Sequence, residues 1–167
     1  MKKPHHILLA IALFVGLFTV TWFNGSEQLM PEFSFTDIDG QVHSSTDYQG
    51  KPLLVIFWAT DCPGCVEEMP DLIKLYDSYS RDELSMLSIA MAHDSIDHIK
   101  AMRADKRLPY TITWDQNNSL AQAFDNVRVT PTHFLIAPNG EIKMRKIGSL
   151  QMELIYDKLQ TMGLNKI

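Results

Sequence analysis

Residues 53–65 read LLVIFWATDCPGC, beginning at Leu53 and ending at Cys65. The first six residues are apolar without alternation, which predicts a central strand that is covered on both faces. Pro63 suits the first position of a helix, and apolar residues then recur at helical spacing as far as about Tyr79. The sequence therefore predicts a strand followed directly by a helix, with Cys62 and Cys65 at the start of that helix.

Cys62 and Cys65 are the only two cysteines in the 167 residues. At a helix N-terminus, unpaired N–H groups and the positive end of the helix dipole favour a thiolate over a thiol. The spacing of three residues puts both sulfurs on one face, within reach of a disulfide. We expect Cys62, at the exposed end, to attack substrate disulfides and Cys65, one turn further in, to resolve the mixed disulfide.

Two other uses of this cysteine pair are open. A structural disulfide here would close a loop of only four residues, which removes little chain entropy. A zinc site would need two further ligands, and His93 and His98 have a permitted spacing although they flank a predicted helix start. We predict no metal and no cofactor beyond a redox-active disulfide between Cys62 and Cys65.

The elements on either side predict an α/β fold with a mixed central sheet and flanking helices. Residues 32–37 alternate like a strand, and Asp39-Gly40 predicts a hairpin turn toward Val42-His43. Strands then alternate with helices and end in a hairpin, an order typical of parallel crossovers followed by an antiparallel edge. The further predicted strands are 84–92, 110–114, 133–137 and 142–147, and the helices are 96–106, capped by Asp94 or Ser95, 119–124 and 150–162.

The N-terminal residues predict a retained membrane anchor. Lys2 and Lys3 precede residues 7–23, which are 17 residues without a charge and lack an A-x-A-like cleavage site after them. Because the lysines lie before the apolar run, we expect the rest of the chain outside the cytoplasm, in an oxidising compartment. We predict an anchor (1–25), a tether (26–30) and one domain (31–167). A cleaved signal peptide is the alternative.

The net charge of the chain is −5, and no basic cluster occurs beyond the two N-terminal lysines. Nothing therefore offers a counter-charge to phosphates, and we expect no nucleic-acid partner.

Taken together, these motifs resemble the thioredoxin superfamily, and within it the membrane-anchored, TlpA-like thiol-disulfide oxidoreductases of the bacterial periplasm. The resemblance spans most of the predicted domain. It rests on PEF and DIDG within residues 31–40, on FWATDCPGC with EEMP shortly after it, and on VTPT before FLI at 129–136. It implies a thioredoxin-like fold, protein disulfides or dithiols as substrates, and a membrane-embedded electron donor. We expect a monomer, anchored in the bacterial inner membrane by one transmembrane helix.

The same resemblance implies roles for individual residues. Pro131 would be a cis-proline that faces the cysteines, and the backbone of Thr130 would pair with an extended substrate segment. Trp58, Pro63 and Gly64 would complete the substrate-binding site.

Two further residues are candidates for proton transfer. Glu68 lies one helical turn beyond Cys65, so it could relay the proton of that thiol, or it could be a solvated carboxylate. Ile56 stands where classical thioredoxins carry a buried Asp, so Glu68 is the nearest replacement. His133 could act as a base or a copper ligand, but on a central strand we interpret it as a satisfied core histidine.

The residues around Cys62 favour a reductant. Gly64 offers no donor to the sulfur, and Asp61 places a like charge beside it, so both weaken the thiolate. A disulfide oxidase or isomerase is the alternative on the same fold. A thiol peroxidase would need P-x-x-x-T-x-x-C ending at Cys62, where this chain has Val55 and Ala59. A copper-delivery protein of the Sco type would use C-x-x-x-C.

Overall fold

The computed structural model describes residues 28–166, in which seven strands, four α-helices and one 3-10 helix follow one another. The elements in chain order are β1 (Ser34–Thr36), β2 (Val42–Ser44), the 3-10 helix (Ser45–Tyr48), β3 (Leu53–Trp58), α1 (Pro63–Asp77), β4 (Ser85–Ala90), α2 (Ile96–Lys106), β5 (Thr111–Trp114), α3 (Ser119–Ala123), β6 (Thr132–Ile136), β7 (Ile142–Ile147) and α4 (Met152–Thr161).

Five of these strands form one mixed sheet in the order β5-β4-β3-β6-β7. β3 and β5 both run parallel to β4, whereas β6 runs antiparallel to β3 and to β7. This arrangement confirms the predicted α/β class and the mixed sheet. β1 and β2 form a separate antiparallel hairpin, and Gly40 in its turn has a φ of 88°, which glycine adopts without strain.

β3 lies at the centre of the sheet, and all six of its residues are buried. Its side chains alternate between two apolar layers, as the two faces of a strand require. One layer packs β3 against α1 and α4, and the other packs it against α3 and the β1–β2 hairpin. Coverage on both faces is the physical reason that this strand is a continuous apolar run in the sequence.

The 3-10 helix (Ser45–Tyr48) is the element that the sequence patterns did not predict. It is four residues long, too short for a helical periodicity, and it begins with a capping box between Ser44 and Asp47. At the start of α2, Ser95 is the cap, because its side chain accepts the N–H of His98.

The predicted anchor lies outside the described residues. Within residues 28–166, no helix is both long and apolar enough to cross a membrane. The part of the predicted tether that the structure describes is bonded to the domain: the Met30 N–H donates to the carbonyl of Gly140 at 2.7 Å, and the Ile142 N–H donates to that of Gln28 at 2.8 Å. The ordered domain thus extends at least to Gln28.

Candidate active site

Cys62 and Cys65 are joined by a disulfide at the point where β3 leads into α1. Their Cα atoms are 5.3 Å apart, and Cys62 is the N-cap of the helix. The Cys65 N–H donates to Cys62 Sγ at 3.2 Å, so a backbone donor of the first helical turn points at that sulfur. Cys65 is only 2% exposed, whereas Cys62 is half-buried. The two sulfurs therefore differ in access and in backbone support, as the nucleophile and the resolving thiol of a dithiol pair must.

The loop before Cys62 is held by a buried carboxylate from the loop that follows β4. Asp94 accepts the backbone N–H of Thr60 at 2.7 Å and its hydroxyl at 2.9 Å, and it also accepts the N–H of Ser95 at 2.8 Å. Nearby, Asp61 Oδ1 lies 3.3 Å from His93 Nε2. Asp94 thus fixes the approach to the cysteines, while Asp61 stays at the surface with 76% of its side chain exposed.

A cis peptide bond joins Thr130 to Pro131, as the resemblance implies. A Cβ built on Gly64 would lie 3.9 Å from Pro131 Cδ and 3.7 Å from Ser149 Oγ, so the turn with Pro131 lies against the C-x-x-C segment. The Gly148 N–H donates to the Pro131 carbonyl at 2.8 Å and holds this turn in place. The turn and Gly64 of the C-x-x-C segment are therefore neighbours.

Other residues of the predicted substrate site lie at different depths. Pro63 is exposed, and Thr130 is half-buried with no backbone hydrogen bond to the rest of residues 28–166. Trp58 is 2% exposed, and its indole N–H has no partner within the described residues. Because β3 is covered on both faces, Trp58 packs beneath the cysteines, and it presents no open face to a substrate in this oxidised form.

Glu68 is buried, which rules out the reading of it as a solvated carboxylate, whereas its neighbour Glu67 is exposed. Its Oε1 lies 2.7 Å from His133 Nε2, and its Oε2 accepts the backbone N–H of Leu150 at 3.3 Å. These two contacts give each carboxylate oxygen one partner. The Glu68 carboxyl group is therefore fixed in position on α1, one helical turn after Cys65.

His133 is fully buried on β6, directly opposite Ile56 of β3. The prediction of a core histidine is correct, but the prediction that it is satisfied is wrong for one ring nitrogen. Nε2 faces Glu68, whereas Nδ1 has no hydrogen-bond partner within the described residues. The pairing of His133 with Glu68 and the role of Asp94 were missed from the sequence. Only the register of β6 against β3 could have indicated the first of them.

Residues 28–166 contain no group of three or more His, Cys, Asp or Glu side chains that is placed to hold a metal ion. His93, one of the two candidate zinc ligands, instead lies beside Asp61. His98 lies in the first turn of α2, where its N–H donates to Ser95 Oγ.

This chain is similar to one protein family and to several thiol-disulfide oxidoreductases. Residues 27–145 match the AhpC/TSA family. Over 131 residues the chain is 31% identical to the thiol-disulfide oxidoreductase ResA of Geobacillus kaustophilus, covering 78% of this chain and 74% of that protein. It is 26% identical to the sporulation thiol-disulfide oxidoreductase A of Bacillus subtilis over 164 residues, covering 90% of this chain and 94% of that protein.

Among solved structures, a putative thioredoxin from Neisseria meningitidis has a similar fold, with a TM-score of 0.74 and 35% identity. The alignment covers 80% of this chain and 89% of that one. Residues 27–145, which match the family, include both cysteines and the strands that hold them, so the thioredoxin-like fold implied by the sequence motifs is confirmed.

Proposed function

The chain belongs to the AhpC/TSA family and is a thiol-disulfide oxidoreductase of the ResA type, and from this premise we propose that it reduces protein disulfides. The observation that carries the proposal is the cysteine pair at the N-terminus of α1, with a half-buried Cys62 above a buried Cys65. The cis-proline turn lies against Gly64 of the C-x-x-C segment, where an extended segment of another protein can approach Cys62.

The reaction is a two-electron exchange in two steps. In the reduced protein, the Cys62 thiolate attacks one sulfur of a substrate disulfide, and the other substrate sulfur leaves as a thiolate and takes a proton from solvent. Cys65 then loses its proton and attacks Cys62 Sγ, which breaks the mixed disulfide and releases the second substrate thiol. The substrate gains two electrons, and the protein ends with the disulfide that the structure contains.

The groups around Cys62 support a reductant over an oxidant. Gly64 has no side chain, so residue 64 cannot donate a hydrogen bond or a positive charge to the Cys62 sulfur. Asp61 adds a negative charge next to Cys62, although 76% exposure means that solvent screens much of this repulsion. A less stable thiolate makes the reduced form a better electron donor.

The proposal includes a location. The apolar residues 7–23 after two lysines support a single-pass anchor in the bacterial inner membrane, with residues 28–166 in the periplasm. An oxidising compartment would keep Cys62 and Cys65 in a disulfide, so a reductant there requires a membrane-embedded electron donor. The anchor would keep the two partners close together.

Neither rival function gains support from a specific observation. The positions that a thiol peroxidase would fill with Pro and Thr are Val55 and Ala59, which are both fully buried and apolar. The C-x-x-C spacing is one residue shorter than the pattern of Sco-type copper proteins.

Reduction of insulin disulfides, driven by a thiol reductant, tests the proposed activity on the chain without the predicted anchor (residues 26–167), which we call the soluble domain. We expect turnover by the wild-type domain and none by Cys62→Ser, because Cys62 is the more accessible cysteine and is the N-cap residue of α1. Peroxide consumption and copper(I) binding, measured in parallel on the same preparation, are the readouts of the two rivals. Insulin reduction that persists in Cys62→Ser would contradict the assignment of the nucleophile.

A further inference from the structure

We propose that Glu68 and His133 act as one buried proton-transfer unit for Cys65, in which His133 is a positioning residue that holds the Glu68 carboxyl group in its orientation. The inference rests on the proposed function, since it assigns the group that receives the proton of the resolving thiol. It adds to the expected role of Glu68 a second residue that lies 65 positions away in the chain.

The sheet register brings the two residues together. His133 lies directly opposite Ile56 across the antiparallel β3–β6 pair, so both side chains point to the same face of the sheet. That face carries α1, and Ile56 and Cys65 belong to the same apolar layer. Glu68 lies on α1 three residues after Cys65, and its carboxylate contacts His133 at 2.7 Å. The unit therefore links α1 to β6 on the face of the sheet that also carries Cys65.

The partners of each atom define which nitrogen holds the proton. His133 Nδ1 has no partner in the described structure, and a buried N–H without an acceptor is costly. A neutral ring with its proton on Nε2 avoids that cost, because Nε2–H then donates to Glu68 Oε1. The Leu150 N–H approaches Oε2 from the backbone at 3.3 Å. Two donors therefore hold the carboxylate in an otherwise apolar layer, where it would be unfavourable alone.

This arrangement gives Cys65 a defined proton acceptor. When the mixed disulfide forms on Cys62, the Cys65 S–H bond breaks and its proton moves to Glu68. The new thiolate attacks Cys62 Sγ, and the substrate sulfur leaves with the electron pair of the broken S–S bond. His133 Nε2–H keeps its bond to Oε1 throughout, so only one proton moves. Glu68 returns that proton to Cys65 when the disulfide is next reduced.

Two other titratable groups face this unit from neighbouring elements. Tyr110 precedes β5, and burial together with the charge of Glu68 raises the pKa of its hydroxyl well above the ordinary value, so Tyr110 stays neutral. Lys146 on β7 is paired with His133 across the β6–β7 ladder and is half-buried. Lys146 is the cation that the β6–β7 register places opposite His133, and the experiment below includes it.

The reduced soluble domain releases thionitrobenzoate from Ellman's reagent in two phases, which separate the attack by Cys62 from the attack by Cys65 in time. The first phase of release reports attack by Cys62, and the second reports attack by Cys65 on the mixed disulfide. Measured from pH 5 to pH 9, the second phase of Glu68→Gln should be about tenfold slower than that of wild type at pH 7, since general-base catalysis contributes at least this much. His133→Leu should slow the second phase by the same factor. The double variant Glu68→Gln/His133→Leu should be no slower than either single variant.

Matched variants control for structural damage. Glu67→Gln changes the exposed neighbour of Glu68, and His43→Leu removes a second His–carboxylate pair away from the cysteines, in which His43 Nε2 lies 2.9 Å from Asp37 Oδ2. Both should keep the wild-type profile of the second phase. Lys146→Gln should shift that profile by less than His133→Leu does. The side-chain amide of His133→Gln can still donate a hydrogen bond to Glu68. The second-phase rate of this variant should therefore lie within about threefold of the wild-type rate.

Nitrogen-15 NMR of the histidine rings in the oxidised wild-type protein tests the same proposal without a substitution. We expect His133 to carry its proton on Nε2 at neutral pH. A proton on Nδ1, or a second phase in His133→Leu that matches wild type, would overturn the role of His133. Failure of the wild-type domain to release thionitrobenzoate at all would instead overturn the proposed function, so the two failures are distinguishable.

Discussion

Gly64 is the residue at which a substitution should change the reduction potential of the Cys62–Cys65 disulfide most directly. A Cβ at this position would meet its nearest atoms at 3.7 and 3.9 Å, which is ordinary van der Waals contact. We expect Gly64→His to fold and to stabilise the Cys62 thiolate through a donor or a positive charge. The reduction potential should rise by tens of mV toward the value of about −120 mV of strong oxidants.

Gly64→Ala is the control for this substitution, because it adds the Cβ without a donor. Its potential should stay close to that of the wild-type protein, as measured by equilibration with glutathione or dithiothreitol buffers. An equal rise in both variants would mean that backbone stiffening, and not the imidazole, sets the potential.

The sequence predicted the two cysteines and their order of exposure, because strand, turn and helix lie next to one another in the chain. It also singled out both Glu68 and His133, but as unrelated residues. Their contact depends on the pairing of β6 with β3, and no local pattern contains that register. The burial of Trp58 agrees with the apolar run of β3, whereas the role in substrate binding that the resemblance implies for Trp58 requires an exposed side chain.

At the level of elements, the β1–β2 hairpin carries a carboxylate that makes its stability depend on pH. Burial raises the pKa of Asp37, but hydrogen bonds from His43 and from the N–H groups of Gln41 and Asp39 outweigh it, so that the pKa falls below its ordinary value of 3.8. A carboxyl with a lower pKa in the folded state stabilises the fold above the unfolded pKa. That contribution is lost as pH falls through the folded value.

Asp37→Asn removes this contribution and should lower the free energy of unfolding. We expect the difference in unfolding free energy between wild type and variant to be largest above about pH 5 and to shrink as pH falls below 3.8. Urea unfolding of the soluble domain at several pH values measures it. Asp82→Asn, on an exposed carboxylate, is the matched control and should show a constant difference. If the difference in unfolding free energy between wild type and Asp37→Asn grew as pH falls, the pKa of Asp37 would be raised in the folded state and not lowered.

Elements were predictable in proportion to how strongly local patterns define them. The bounds of β3 are as predicted because the strand is an uninterrupted apolar run. The bounds of α2 are also as predicted, because Ser95 caps its start and basic residues lie in its last turn. The 3-10 helix at Ser45–Tyr48 has too few residues for a period. The pairing order of the strands followed from chain order only in outline, because β6 enters the sheet beside β3 and not beside β5.

At the scale of the whole molecule, the proposal of a membrane anchor is tested by fractionation of cells that express the full chain. We expect the protein in the membrane fraction, resistant to extraction with alkaline carbonate, because residues 7–23 are uncharged and long enough to span. A variant with two arginines within that segment is the control and should become extractable. A soluble, shortened wild-type product would show that the segment is a cleaved signal.

The direction of electron flow is the central claim, and the reduction potential of the Cys62–Cys65 disulfide tests it most directly. Gly64 and Asp61 leave the thiolate without a stabilising side chain, so we expect a potential near the thioredoxin value of about −270 mV. The measurement is equilibration of the soluble domain with defined redox buffers at pH 7, followed by trapping of the thiols. A potential more negative than about −230 mV agrees with a reductant, whereas one above about −170 mV would contradict it and make the protein an oxidase or isomerase.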